Sequence, residues 1–399
     1  MSMFTSVSMA PRDPILGLNE EFASSQHPNK VNLGVGVYFD DNGKLPLLQC
    51  VQEAEKKLMS TPSARGYLPI DGIVAYDNAV KSLVFGANSQ AVQSARVATV
   101  QGLGGTGGLK IGADFLKKLL PHAKVLISDP SWENHRALFT QAGFEVDTYG
   151  YYDANQRGID FGAMIHSLEQ AAPATIVVLH ACCHNPTGYD ITSEQWGKVI
   201  DTIKRKNLTA FLDMAYQGFG QGIEEDGAIV GRFVQAGLNF LVSTSFSKSF
   251  SLYGERVGAL SVLCEDAQEA QRVLSQLKIM IRTNYSNPPI HGGAVVAEVL
   301  NTPALRQIWE KELAEMRVRI KSMRQKLVDG LKAAGVKTDM SFITEQVGMF
   351  SYSGLSKEQM VRLRNEFGVF GTDSGRMCVA ALNSKNIDHV CKSIANVLS

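Results

Sequence analysis

Neither sign of charge prevails in this chain, whose 399 residues include 39 lysines and arginines against 39 aspartates and glutamates. Without a basic surplus it lacks the electrostatic footprint that nucleic acid or an anionic membrane surface needs, so small molecules are the expected partners. Long apolar runs are missing as well: none approaches the ~18 residues of a spanning helix. The opening MSMFTSVSMAPRDPILGL has no basic start and no continuous apolar stretch, so it does not read as a secretory signal. A cytoplasmic protein is expected. Cysteine is scarce. Cys50, Cys182, Cys183, Cys264, Cys378 and Cys391 are scattered, with no C-x-x-C and no His/Cys metal spacing. Neither a disulfide framework nor a metal site is expected, and the adjacent Cys182-Cys183 pair could close only a strained vicinal bridge, so reduced thiols are expected.

Apolar residues make up 45% of the chain, enough for sizeable cores, and at roughly 150 residues per domain the length suggests two or three domains. Short β-branched runs recur through the middle: RVATV (96–100), KVLIS (124–128), TIVVLH (175–180), LTAFLD (208–213), NFLVST (239–244) and VGALSVL (257–263). Helix-like segments such as GGLKIGADFLKKLL and SEQWGKVIDTIKRK separate them. Near-continuous apolar strands alternating with amphipathic helices indicate an α/β fold with a mostly parallel sheet covered on both faces, whose ligands bind at the strands' carboxyl ends. Beyond residue 303 the period changes. Leu305, Trp309, Leu313, Met316, Ile320, Met323, Leu327 and Leu331 are spaced by three or four, which predicts one helix of about nine turns over 303–334, stopped at Gly335. The strand-like QVGMFSY and RMCVAAL and a closing helix then predict a smaller α+β domain. The division expected is a large domain over 46–310 and a small one formed by 1–45 with 311–399.

QGLGGTGGLK (101–110) follows a strand and opens a helix. Gly102, Gly104 and Gly107 match G-x-G-x-x-G, and Asp129 ends the next expected strand about twenty residues on, as in a dinucleotide fingerprint. A nicotinamide-dependent dehydrogenase is therefore a rival reading. The physical content is broader: glycines admit a close backbone approach, and a helix start holds any phosphate. A simple tight turn also fits. Ser245-Phe246-Ser247-Lys248 matches S-x-x-K, but the companion S-D-N and K-T-G strings are absent and Lys248 directly follows a strand.

Three strand ends carry polar residues in order: Asn185 in HNPTG, Asp213 with Tyr216 in LDMAY, and Lys248 among the serines of STSFSKSFS. In a parallel sheet these lie along one edge, facing the glycine-rich helix start. Pyridoxal 5′-phosphate needs such a set: an amine for its aldehyde, an acid for its pyridine nitrogen and an anion site for its phosphate. Lys248 would form the Schiff base, Asp213 would keep the ring nitrogen protonated, and Tyr216 and Asn185 could donate to the phenolate oxygen. Gly105 and Thr106, with Ser245, Ser247 and Arg256, would hold the phosphate, and Trp132 could stack on the ring. Each residue alone has a plainer explanation as cap, core or solvated surface; their order on successive strand ends does not.

SFSKSFSLYGERVGA, CCHNPTG, FLDMAYQGF, DPSWENH, NYSNPP and SGRMCVA together resemble the aspartate/aromatic aminotransferase family, fold-type I pyridoxal-phosphate enzymes of class I, leaning toward the bacterial tyrosine (aromatic) branch. The resemblance spans nearly the whole chain. It implies a large domain with a seven-stranded sheet sandwiched by helices, and a homodimer with shared active sites. It implies Lys248 as proton shuttle, and Arg376 as the bidentate partner of the substrate α-carboxylate, helped by Gly36, Asn185 and Trp132. Arg282 would reach a dicarboxylate's distal end from the neighbouring subunit, and Tyr67 would reach the phosphate likewise. His135 would support Asp213, Gly104 would belong to the phosphate loop, and cis bonds are implied at Asp129-Pro130 and Asn185-Pro186. The implied reaction is amino transfer from an aromatic L-amino acid or L-aspartate to 2-oxoglutarate, with a strict aspartate enzyme as the alternative.

Overall fold

The computed structural model describes residues 2–399. At its centre a sheet is built from β1 (Val97–Leu103), β2 (Lys124–Asp129), β3 (Glu145–Gly150), β4 (Ile176–His180), β5 (Thr209–Met214), β6 (Phe240–Ser245) and β7 (Val257–Leu263). The strand order is β1-β7-β6-β5-β4-β2-β3. β7 is antiparallel to both its neighbours, and the other pairings are parallel. Successive residues point to opposite faces, so the unbroken apolar strands feed two cores: Val177 and Leu179 of β4 enter one, Ile176 and Val178 the other. Helices cover both faces, as such strands require. α1 (Gly104–Leu119) buries Leu109, Ile111 and Leu116 on one side. On the other, α2 (Ser193–Lys206) buries Trp196, Val199 and Ile203 behind a capping box at Thr192.

β3 is not among the strands expected from the sequence. Its EVDTYG forms the sheet edge and alternates exposed with partly covered residues until the buried Tyr149, so it lacks the apolar run that marks the central strands. β1 extends beyond the expected stretch, through Gln101 and Gly102 to Leu103.

The long helix, α3 (Pro303–Ala333), has proline in its first turn and is followed by Gly335 at φ +87°, in the left-handed region that stops a helix. Of its expected apolar stripe, Trp309 through Leu331 are buried and Leu305 is half-buried. Val31–Asn32 pairs with Val369–Phe370, joining the N-terminal segment to the C-terminal one, and Phe350–Tyr352 pairs with Arg376–Cys378 within the latter. No helix among the described residues is long and apolar enough to cross a membrane.

Trp309 joins α3 to the segment directly after Lys248. Its Nε1 donates to the Ser249 carbonyl at 2.8 Å and its ring stacks on Phe250 at 4.8 Å. Trp309→Ala removes both contacts and leaves a cavity. It is expected to cost about 3–5 kcal/mol of stability, read from urea unfolding midpoints; a loss below about 1 kcal/mol would mean that the segment is held by other contacts.

Candidate active site

The carboxyl ends of β4, β5 and β6 open on a cavity of about 270 Å³. Lys248, Asp213, Tyr216 and Asn185 line it, as does Trp132, whose ring meets His135 edge-on at 5.2 Å. Lys248 lies three residues past the end of β6, its Nζ 4.7 Å from the Tyr216 ring centre. It keeps some surface toward the cavity, yet its ammonium has lost most of its water. Burial, aided by the positive charges of Arg256 and Arg376 and opposed by Asp213, lowers its pKa to about 8.

Asp213 is buried at the end of β5 and accepts a 2.8 Å hydrogen bond from His135 Nε2, whose Nδ1 meets Ser131 Oγ at 2.9 Å. Burial works against its charge, but the His135 bond, with Lys248 nearby, outweighs that and holds the carboxyl below its usual range. Asp213 is thus an ionised acid in a dry place. Burial drives His180, beside it on β4, down to about 3, so its ring is neutral. Burial also raises the Tyr216 hydroxyl, which remains a donor across the working pH range.

Arg376 is 1% exposed. Its Nη1 donates to Asn185 Oδ1 at 3.0 Å and its Nη2 to the Gly34 carbonyl at 2.6 Å, while its plane lies 4.3 Å over Phe350. Gly36 lines the cavity beside it. Among the described residues no carboxylate forms a salt bridge with Arg376 or Arg256.

Arg256 closes the far corner with Gly105, Thr106, Ser245 and Ser247. Gly104 stands behind this corner rather than on the cavity wall. Its φ of +69° turns the chain from β1 into α1, and a Cβ there would sit 2.5 Å from Arg256 Nη2. The corner combines a helix start, hydroxyls and an unneutralised guanidinium, the donor set of a phosphate site.

His135 lies outside the cavity as well, acting through Asp213. Tyr67 and Arg282 do not line it. Tyr67 is 96% exposed, and the two residues border a common surface depression with Pro288 and Pro289. Asp129-Pro130 and Asn185-Pro186 are cis. Sequence reasoning missed Ile15, Val37, Tyr253 and Phe350 on the cavity wall. Tyr253 belongs to the SLYGERVG motif and Phe350 to the strand-like QVGMFSY, where an aromatic reads simply as packing; Ile15 carries no local signal.

The dinucleotide reading fails on topology. A fingerprint acid must sit on the strand beside the glycine loop, whereas β7, β6, β5 and β4 all lie between β1 and the Asp129 strand. Ser245 ends a strand rather than opening a helix, which also removes the S-x-x-K reading.

Residues 28–394 match the family model described as Aminotransferase class I and II. The chain is 58% identical to an aspartate aminotransferase of Pseudomonas aeruginosa, over 100% of both chains. It is 51% identical to the aromatic-amino-acid aminotransferase of Escherichia coli, covering 99% of this chain and 100% of that protein. Among solved structures, an aromatic-amino-acid aminotransferase from Burkholderia pseudomallei, covalently bound to pyridoxal phosphate, superposes with a TM-score of 0.97 at 60% identity over 100% of each chain.

The lowered pKa of Lys248 has a consequence for stability. Because the folded amine holds its proton less tightly than the unfolded one, the charged form is a burden below a pH of about 8, and that burden fades as pH rises toward 10.5. Cofactor-free Lys248→Met protein is expected to be more stable than the parent near neutral pH, with the difference shrinking above pH 8. Denaturant midpoints across that range test this; a pH-independent difference would contradict the assigned cause.

Proposed function

This chain belongs to the aminotransferase class I and II family, and from that premise we propose that its cavity moves the amino group of aromatic L-amino acids or L-aspartate to 2-oxoglutarate on pyridoxal 5′-phosphate. The observation that carries the reading is the convergence of Lys248, Asp213, Tyr216, Asn185 and Arg376 on one cavity with an anion corner at its end. The donor set fits the cofactor: one amine of depressed pKa, one ionised acid backed by histidine, and Arg256 with no acid of its own. When bound, pyridoxal phosphate supplies an aldehyde to carry the amino group and a ring that spreads the charge left when Cα loses its proton.

The chain's own groups do the rest. Lys248 Nζ is the group that would hold the cofactor's aldehyde and, when free, would take up the substrate Cα proton and give it back. With its pKa near 8, a fraction of the amine is neutral at physiological pH and can act as a base. Asp213 keeps the pyridine nitrogen protonated. Tyr216 and Asn185 donate to the phenolate oxygen, and Trp132 covers the ring. Gly105, Thr106, Ser245, Ser247 and Arg256 hold the phosphate. Arg376, held in place by Asn185 and the Gly34 carbonyl, receives the substrate α-carboxylate as a bidentate pair beside Gly36.

The working unit in this reading is a cytoplasmic homodimer with shared sites, each chain a large domain over 46–310 and a small one over 1–45 with 311–399. Tyr67 and Arg282 lie together on the outer surface, outside their own cavity, where each could serve a partner's. The relatives carry both aspartate and aromatic names, and apolar groups such as Ile15, Val37, Leu109 and Phe350 line the cavity with Arg376. Dual use follows. Burying an aromatic ring against such walls contributes a few kcal/mol, roughly what one ion pair to Arg282 would supply to a dicarboxylate.

The purified holoenzyme is expected to lose its visible absorption band on adding L-phenylalanine without an oxo acid. A persistent band would restrict the enzyme to aspartate, and protein with no such band would remove the cofactor assignment. Lys248→Ala should lower turnover by on the order of 10²–10⁴-fold or more while phosphate binding persists; near-normal turnover would refute its role. Arg282→Gln should cost about 2–5 kcal/mol in kcat/KM for aspartate and much less for phenylalanine, and equal losses would contradict dual use.

A further inference from the structure

A second cavity, of about 490 Å³, shares no lining residue with the first; Cys182, Tyr189, Asp190, Trp196 and Asp226 border it. Cys182, Cys183 and Asp226 are all buried, and their two sulfurs and a carboxylate oxygen lie within 4.8 Å of one another. Adjacent residues of an extended chain send their side chains to opposite sides. Cys183 has φ +52°, and this left-handed turn brings both thiols toward the same carboxylate.

The carboxylate is fixed in place. Asp226 Oδ2 accepts from the backbone N–H groups of Gly218 at 2.8 Å and Gly220 at 2.9 Å, and Oδ1 from Gln221 at 2.8 Å. Oδ1 therefore keeps a lone pair to offer. The thiols are free of disulfides; they hydrogen-bond to each other, and Cys183 Sγ also makes a weak contact of 3.8 Å to the Tyr216 carbonyl. Among the described residues no lysine or arginine forms a salt bridge with Asp226 or the neighbouring Asp190. The cluster thus combines soft ligands, a preorganised hard ligand with no salt-bridged cation and a path to solvent.

We propose that Cys182, Cys183 and Asp226 form a site for one thiophilic divalent cation of the zinc–cadmium class. The two sulfurs and one oxygen fill three tetrahedral positions, and water from the cavity fills the fourth. On binding, two S–H bonds break, two protons pass to solvent and two metal–sulfur bonds form; no electron is transferred. No motif signals this, because adjacent cysteines are not a ligand spacing until the backbone turns between them. Occupancy bears on the first cavity, since the chain runs from Cys183 through His184 to Asn185, and Cys183 touches the Tyr216 carbonyl. Cation binding is expected to lower transaminase turnover, a consequence that rests on the function proposed above; the binding itself does not.

The test is titration of the holoenzyme with Cd²⁺, without added thiols, followed by the ultraviolet sulfur-to-cadmium absorption. Saturation at one equivalent is expected. Cys182→Ser should weaken binding by on the order of tenfold or more and reduce the band, and Cys50→Ser should leave both unchanged. No saturable band in the parent, or parent-like binding by Cys182→Ser, overturns the site. Should Cys182→Ser fail to fold, the cadmium-113 resonance of the parent complex decides: a shift typical of two sulfur ligands supports the proposal, and one typical of oxygen or nitrogen ligation alone overturns it.

Discussion

The first cavity sets Lys248, Arg256 and Arg376 against a single carboxylate, Asp213. Positive charge held out of water is costly unless anions share the space, and this imbalance governs the chemistry. Together with burial, the main cause, the two arginines depress the pKa of Lys248 against the pull of Asp213, which leaves a fraction of the amine neutral. The imbalance also favours dianionic phosphate at one end and a carboxylate at the other. Asp213 could not stay ionised on burial alone; His135, itself fixed by Ser131, tips the balance. The site is therefore a set of mutually dependent charges, and the packing around it holds them in place.

Sheet topology accounts for that placement. β4, β5 and β6 are adjacent and parallel, so their carboxyl ends deliver Asn185, Asp213 with Tyr216, and Lys248 to one edge. The anion corner has a different origin. β7 runs antiparallel between β1 and β6, and Gly258 pairs with Gly102 on one side and Ser245 on the other. The glycine turn at the end of β1, the serines after β6 and Arg256 at the head of β7 are thereby gathered in one place. Only a residue without a side chain fits beside the Arg256 guanidinium at Gly104, so the loop composition and the arginine form one packing unit.

Arg376 reaches the cavity from another direction, on a short strand paired with Phe350–Tyr352. It is held by Asn185 from the turn after β4 and by Gly34 from the N-terminal segment, so three distant parts of the chain meet at one guanidinium. This junction explains why Ile15, Val37 and Phe350 wall the same space: the Arg376 end of the cavity is made by chain segments outside the large sheet. An apolar wall around a single buried arginine suits an α-carboxylate with an aromatic side chain. A distal carboxylate must find its partner elsewhere, and Arg282 on the outer surface is the group proposed for it.

Much of this architecture is legible in the amino-acid sequence itself. Six of the seven strands announce themselves because buried parallel strands must be apolar throughout, and the helix over 303–333 because one face repeats at the helical period. The residues at strand ends can be placed in order because parallel topology converts sequence order into a spatial row. What the sequence could not decide were properties of residues brought together from afar. The glycine loop fits a dinucleotide fingerprint locally, and only the four strands between β1 and Asp129 exclude it. β3 is hidden by its polar edge. Ile15 has no motif, and Cys182 and Cys183 converge on Asp226 only because one backbone angle is left-handed. Periodicity and local chemistry are written residue by residue, whereas proximity between distant segments, the desolvation that shifts Lys248 and the His135 bond that holds Asp213 charged exist only once the chain has closed around them.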